Sequence, residues 1–214
     1  MEETAEPLAM NFQESVDVAA DLPDSLPPLA VDIDGTLTDD DRRLDPRIFP
    51  VCRAWPTPLV VATGKSVPYP VAFCEFLGLE PLLIAENGGV VLVGRTESLQ
   101  VLGNREAAHD VLEAYRARGY GAGWGTANLV NRWRETEIAV SRDQPLEPLV
   151  EIATEYGLEV VDTGYAYHVK SPGMTKGAAL ETVAAGLALD PDAFVAIGDS
   201  ENDVSTFERA RAAV

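Results

Sequence analysis

Lysine is scarce in this 214-residue chain: Lys65, Lys170 and Lys176 are the only three, beside 13 arginines and 35 acidic residues, for a formal net charge of -19. So little positive charge gives no basic footprint for a nucleic-acid backbone or an anionic membrane, and neither partner is expected. Cysteine is equally sparse. Cys52 and Cys74 stand far apart, without Cys-x-x-Cys or Cys/His ligand spacing, and read as reduced thiols of a cytoplasmic protein. Long apolar runs are missing too: nothing approaches the roughly 18 residues a spanning helix needs. The start Met1-Glu2-Glu3 lacks a basic segment followed by an apolar one, so neither export nor anchoring is expected. A content of 46% hydrophobic and 24% charged residues excludes wholesale disorder and fits one core, or a core with a modest second domain.

Acid is what the chain has in excess. Such a surface repels itself unless ions screen it, and at about 1 M salt the Debye length is only about 3 Å, so a salt-loving cytoplasm is expected. A GC-rich genome would also favour arginine, but codon bias alone does not explain the carboxylates.

Residues 1–28 are acidic, carry Pro7, Pro23, Pro27 and Pro28, and show no sustained period, which predicts a flexible leader. Short apolar runs ending in polar turn residues then recur, as buried parallel strands do: Leu29–Val31 before Asp32, Pro58–Ala62 before Thr63-Gly64, Leu82–Ala85 before Glu86, and Phe194–Ile197 before Gly198-Asp199. Val67 to Leu77 reads as a crossover helix whose start Pro68 and Pro70 should delay. The pattern predicts an α/β fold with a doubly wound, mainly parallel, Rossmann-like sheet, whose ligand sits beyond the carboxyl ends of the strands.

Residues 93–169 read differently. Helical spacing over Glu106–Arg118 and Leu146–Tyr156, with strand-like pieces at Glu137–Ser141, Leu158–Val161 and Tyr165–Lys170, predicts a small antiparallel sheet covered by two helices. An α+β cap inserted into a discontinuous core of 29–92 and 170–214 is expected.

The chemistry is carried by acids. Asp32 and Asp34, two apart in extended backbone, can leave a strand end on one face, and two carboxylates held close call for a cation or a proton. A hard divalent ion such as Mg²⁺ would serve and would also draw in a phosphate oxygen. Gly198-Asp199-Ser200-Glu201-Asn202-Asp203 supplies a second acidic turn, with Asp199 and Asp203 as further metal-site candidates. Thr63-Gly64-Lys65 offers a hydroxyl and backbone N–H groups to a phosphoryl group, and Lys176, between glycines in Gly173–Gly177, a point charge for it. Lys65 also fits a plain helix-start residue.

In order along the chain, Asp32-x-Asp34-Gly35-Thr36, Thr63-Gly64, Lys176 and Gly198-Asp199-x-x-x-Asp203 resemble the motifs of the haloacid dehalogenase superfamily of phosphatases, over roughly residues 29–211. Glu86-Asn87-Gly88-Gly89, Gly173–Gly177 and Gly198–Asp203 are most similar to the archaeal phosphoglycolate phosphatases within it. The resemblance implies a phosphomonoesterase with Asp32 as nucleophile and Asp34 as acid and base. It implies Mg²⁺ on Asp32, the Asp34 carbonyl, Asp199 and Asp203, Thr63 and Lys176 on the phosphoryl oxygens, and a cap that chooses the substrate. That substrate is expected to be a small phosphorylated metabolite, 2-phosphoglycolate first, with Arg132, Arg134, His168 and Lys170 as cap groups suited to its carboxylate. Alternatives are a sugar-phosphate or mannosyl-phosphoglycerate phosphatase, a receiver-like phosphorylation module, and an inactive fragment. A receiver has no use for an acid/base at Asp34 or for the cap. Monomer and homodimer both stay open.

Overall fold

The computed structural model describes residues 11–95 and 99–214. In chain order its elements are α1 (Phe12–Ala20), β1 (Leu29–Val31), α2 (Ile48–Ala54), β2 (Leu59–Ala62), α3 (Pro68–Leu77), β3 (Leu82–Ala85), β4 (Val90–Val93) and β5 (Gln100–Val101). There follow α4 (Arg105–Ala117), β6 (Ile138–Ser141), α5 (Leu146–Glu155), β7 (Glu159–Asp162), β8 (Ala166–Lys170), α6 (Lys176–Gly186), β9 (Val195–Ile197), α7 (Val204–Phe207) and β10 (Ala212–Ala213).

Two sheets form. The larger runs β10-β9-β1-β2-β3-β4-β5, parallel from β10 through β3 and antiparallel at β4 and β5. Leu29 of β1 lies opposite Leu59 on one side and Val195 on the other, so β1 is central. Its alternating side chains feed two cores. Leu29, Val31, Val61 and Leu83 pack with Cys52, Phe73, Cys74 and Leu77 of α2 and α3, whereas Ala30, Val60, Ala62 and Ile84 pack with Leu180, Val183 and Ala184 of α6. Helices on both faces make the sheet doubly wound. From β1 the chain steps one way to β2 and β3 and later returns on the other side as β9, so β1 and β9 flank the point where the winding reverses.

The smaller sheet, β6-β8-β7, is antiparallel and covered by α4 and α5. Ala108, Val111, Leu112 and Tyr115 repeat at helical spacing on the inner face of α4, against Ile138, Val140, Leu149, Ile152 and Val169. These elements make a second α+β layer in the stretch expected to be a cap. Its near boundary lies later than the expected residue 93, because β4 and β5 both belong to the larger sheet.

Two local expectations are corrected. Of the leader, residues 1–10 lie outside the described part, but Phe12–Ala20 is a helix. Its start is written as a capping box, in which Asn11 Oδ1 accepts the Glu14 amide at 3.0 Å and Glu14 Oε2 accepts the Asn11 amide at 2.7 Å. The helix packs on α2, and Trp55 Nε1 and Thr57 Oγ1 hold the Pro27 carbonyl, so residues 11–28 are tied to the core. Helix α3 begins at Pro68 itself, since a first-turn N–H needs no partner inside the helix. At the far edge, Ala212–Ala213 adds a further strand beside β9.

Candidate active site

Four strand ends converge. Asp32 follows β1, and its amide is held at 2.9 Å by the Ile197 carbonyl of β9, which sets the two acidic turns side by side. Gly35, at φ 80°, lets the backbone turn under the second of them: a methyl group there would overlap the Asp199 carboxylate. Carboxylate oxygens of Asp32, Asp199 and Asp203 all lie within 4.8 Å of one another. Asp203 is fixed within its own turn, accepting Ser200 N at 3.2 Å and Ser200 Oγ at 3.1 Å.

Lys176, the first residue of α6, is buried beside these acids. Its Nζ donates to Asp32 Oδ1 and Asp203 Oδ1, both at 2.7 Å, and to Asn202 Oδ1 at 3.2 Å. Burial pushes the Asp32 carboxyl up to about 6 against the pull of Lys176, and the neighbouring Asp203 and Asp34 charges push the same way. Asp34 is paired with a different cation, its Oδ1 3.0 Å from Lys65 Nζ. The hard oxygen donors of Asp32, Asp199 and Asp203 suit a divalent cation, so the residues present fit a metal ion.

A cavity of about 350 Å³ opens over this cluster, with Asp32, Asp34, Gly64, Lys65 and Asp199 on the core side and Arg134, Tyr165 and His168 on the cap side. Thr63 stands behind that wall, fully buried, with Oγ1 accepting the Lys65 amide at 3.1 Å. Every expected core residue is therefore on the cavity wall or in direct contact with one that is, Asp203 through Ser200 and Thr63 through Lys65. Of the four cap groups considered for a carboxylate, Arg134 and His168 reach the cavity. Lys170 is instead engaged by Glu159 and the Met174 carbonyl, and Arg132 is exposed away from it.

The seam between core and cap was not read from the sequence. Glu86 and Asn87, after β3, both hold left-handed backbone, with φ 53° and 54°. Glu86 is fully buried and accepts the amides of Glu135 and Thr136 and the Thr136 hydroxyl, all between 2.7 and 3.0 Å. Burial raises its carboxyl above the usual range, opposed by those hydrogen bonds. Asn87 reaches both ways: Nδ2 lies 3.3 Å from Glu137 Oε1, and Oδ1 accepts Asn202 Nδ2 at 3.1 Å. Glu137 itself sits between Arg134 and His168, whose Nδ1 is 2.8 Å away, and despite its burial these two neighbours hold its carboxyl below the usual range. An ionised Glu137 makes His168 Nδ1 the donor and leaves Nε2 free of that bond. Arg134 also donates to the Gly64 carbonyl at 3.1 Å, joining the cap to the turn after β2. The Glu86-Asn87 dipeptide was visible as a resemblance, but its partners lie about 50 residues on, and no local pattern announces them.

A doubly wound sheet, three acids and a buried lysine at its strand ends, and an inserted cap define a class of hydrolase. Residues 29–120 and 150–214 match the haloacid dehalogenase-like hydrolase family, and the chain belongs to it. Among curated proteins it is 56% identical to a phosphoglycolate phosphatase of Haloarcula marismortui over 188 residues, 88% of this chain and 83% of that one. It is 58% identical to a phosphoglycolate phosphatase of Natronomonas pharaonis over 183 residues, 86% and 81% of the two chains. The solved structure of Thermoplasma acidophilum 0175 superposes with a TM-score of 0.70 at 25% identity, covering 86% of this chain and 81% of that one. A haloacid dehalogenase-like hydrolase from Bacteroides thetaiotaomicron shares the fold, with a TM-score of 0.68 at 15% identity over 87% and 86% of the two chains.

Proposed function

We propose that the chain is a Mg²⁺-dependent phosphomonoesterase that converts 2-phosphoglycolate to glycolate and phosphate. The observation that carries this reading is the gathering of Asp32, Asp199 and Asp203 around one point with Lys176 beside them. The names of the halophilic relatives support the choice of substrate. In this reading Asp32 attacks phosphorus to form an aspartyl phosphate as the ester P–O bond breaks, and Asp34 gives its proton to the departing glycolate oxygen. Asp34 then takes a proton from the water that attacks the aspartyl phosphate, returning Asp32 as a carboxylate. Lys176 and the Thr63 turn hold phosphoryl oxygens. Asp32, the Asp34 carbonyl, Asp199 and Asp203 would hold the metal ion, which would supply positive charge against that of the phosphoryl group.

The nucleophile's elevated pKa refers to a site of acids and lysine alone, and a bound divalent charge lowers it. The cap closes off bulk water and selects the leaving group. Buried, unpaired Cys52 and Cys74 support a reducing compartment such as cytoplasm.

Phosphate release from a panel of small phosphomonoesters, with Mg²⁺ at high salt, tests the proposal. Native protein should prefer 2-phosphoglycolate, and Asp32→Asn should lose more than the roughly 10²- to 10⁴-fold that a general acid supplies. Equal rates on sugar phosphates would remove the narrow substrate, and an active Asp32→Asn would remove the mechanism.

A further inference from the structure

Four cations surround the cavity or its floor, and three are committed. Lys176 is held by Asp32 and Asp203, Lys65 by Asp34, and Arg134 by Glu137. Arg42 is the exception: it lines the same cavity and has no ion-pair partner among the described residues. Its isolation is unexpected in a hairpin written Asp39-Asp40-Asp41-Arg42-Arg43. The next residue, Arg43, pairs with Asp41 at 2.8 Å, and Asp39 Oδ1 is occupied by the amides of Asp41 and Arg43.

Arg42 is also placed with some cost. It adopts φ 62°, left-handed backbone that a bulky side chain seldom takes, in a turn closed by its amide on the Asp39 carbonyl and braced by the Thr38–Leu44 bridge. That conformation carries the guanidinium across to the cap, 4.6 Å from the centre of the Tyr165 ring. Tyr165 is itself stacked on Trp124 at 5.5 Å, and the Trp124 indole donates to the Ala139 carbonyl of β6 at 2.8 Å. A ring beneath a guanidinium fixes its plane while leaving the edge with its donors open, the presentation that a carboxylate takes bidentately.

We propose that Arg42 is the specificity-determining residue for an anionic leaving group, reading the carboxylate of the substrate, with Tyr165 as the residue that positions it. This rests on the phosphomonoesterase reading above and names the group that selects its substrate. The need for such a cation is electrostatic. Asp32, Asp34, Asp39, Asp40 and Asp199 all face the cavity, so a leaving group that carries its own negative charge meets repulsion unless an unspent positive charge waits at that end.

The test compares kcat/KM for 2-phosphoglycolate and for ethyl phosphate, which has the same two-carbon ester without the carboxylate, at one Mg²⁺ and salt concentration. Arg42→Gly is the variant of choice, because glycine accepts the left-handed backbone and a thermal melt can verify folding. The ratio of the two kcat/KM values should fall about 10- to 100-fold in Arg42→Gly, the loss expected for a charge-assisted pair. Arg42→Lys should lose less, keeping charge without the fork, and Tyr165→Leu should lower the ratio part-way. A merely structural role lowers both rates and leaves the ratio in place, which would overturn the proposal. A native ratio well above one that Arg42→Gly does not change overturns the role of Arg42 alone. A native ratio near one overturns the substrate reading and this inference with it.

Discussion

The two ends of the cavity are built on different principles. At the end proposed for the phosphoryl group, Asp32, Asp203 and Lys176 are nearly inaccessible, come from strand ends or a helix start of the core, and satisfy one another at 2.7 Å. At the end proposed for the leaving group, Arg42 and Tyr165 are exposed, come from a hairpin tip and a cap turn, and meet only through a ring face. Between them runs a polar seam, Glu86 to Thr136, Asn87 to Glu137 and Arg134 to Gly64. In the proposed reading the difference separates two tasks. Phosphoryl chemistry needs charges whose positions do not change from substrate to substrate, so it is placed where the parallel sheet fixes the backbone. Selection is placed on surface loops, where residues can change without disturbing the core.

The sharpest way to break that comparison is to remove the buried cation. Lys176→Met keeps the length of the side chain but strands two buried carboxylates, and breaking a buried pair from one side costs about 3–5 kcal/mol. Urea unfolding at fixed salt should show that loss, and activity should vanish with it. A variant as stable as the native chain would mean that the acid cluster is far better solvated than its burial implies.

The seam is expected to be weaker. In Glu86→Gln one carboxylate oxygen becomes an amide N–H₂, which then faces backbone N–H groups of Glu135 or Thr136 that need an acceptor. Leaving such a donor unsatisfied costs about 1–3 kcal/mol. The raised pKa of Glu86 gives the sign of its pH dependence: between the usual carboxylate value and the raised one, the folded state holds the extra proton, so this group's contribution to stability falls as pH rises through that window. The Gln variant, which does not titrate, should lack that slope when unfolding is followed across the acidic range.

What the sequence disclosed follows the same division. The acids and Lys176 were legible because each stands in a short motif directly after an apolar strand or before a helix, where topology alone brings them together. The cap strands and helices were legible from their period, with Leu146 predicted and observed as the start of α5. Helix α1 was missed although Asn11-x-x-Glu14 spells its capping box, since a run of prolines and acids on either side masked a period only nine residues long. Arg42, Asn87 and Glu137 were not legible as site residues. Their meaning lies in a ring or a carboxylate tens of residues away, and in a chain with 35 acids another charge in a turn carries no signal.

The smallest effect reports on whether core and cap open together. Both cysteines lie in the core, on α2 and α3, and none lies in the cap. Burial pushes the Cys52 thiol up to about 11 and Cys74 up to about 12, so at pH 8 the thiolate of Cys52 is roughly one part in a thousand, and labelling should be slow and limited by opening of the core. The folded pKa values exceed the unfolded ones, so these thiols add to stability below about pH 9, and that contribution is lost as pH rises from there toward 11 and 12. In Trp55→Phe combined with Trp133→Phe the remaining indole is Trp124, which packs against the α4, α5 and β6 cluster and donates to the Ala139 carbonyl, so it reports the cap. If the seam is the weak layer, cap fluorescence should change at lower urea than the concentration at which the thiols become reactive. Coincident transitions would show that the polar seam binds the two sheets into one cooperative unit, and that the division of tasks in the cavity has no counterpart in stability.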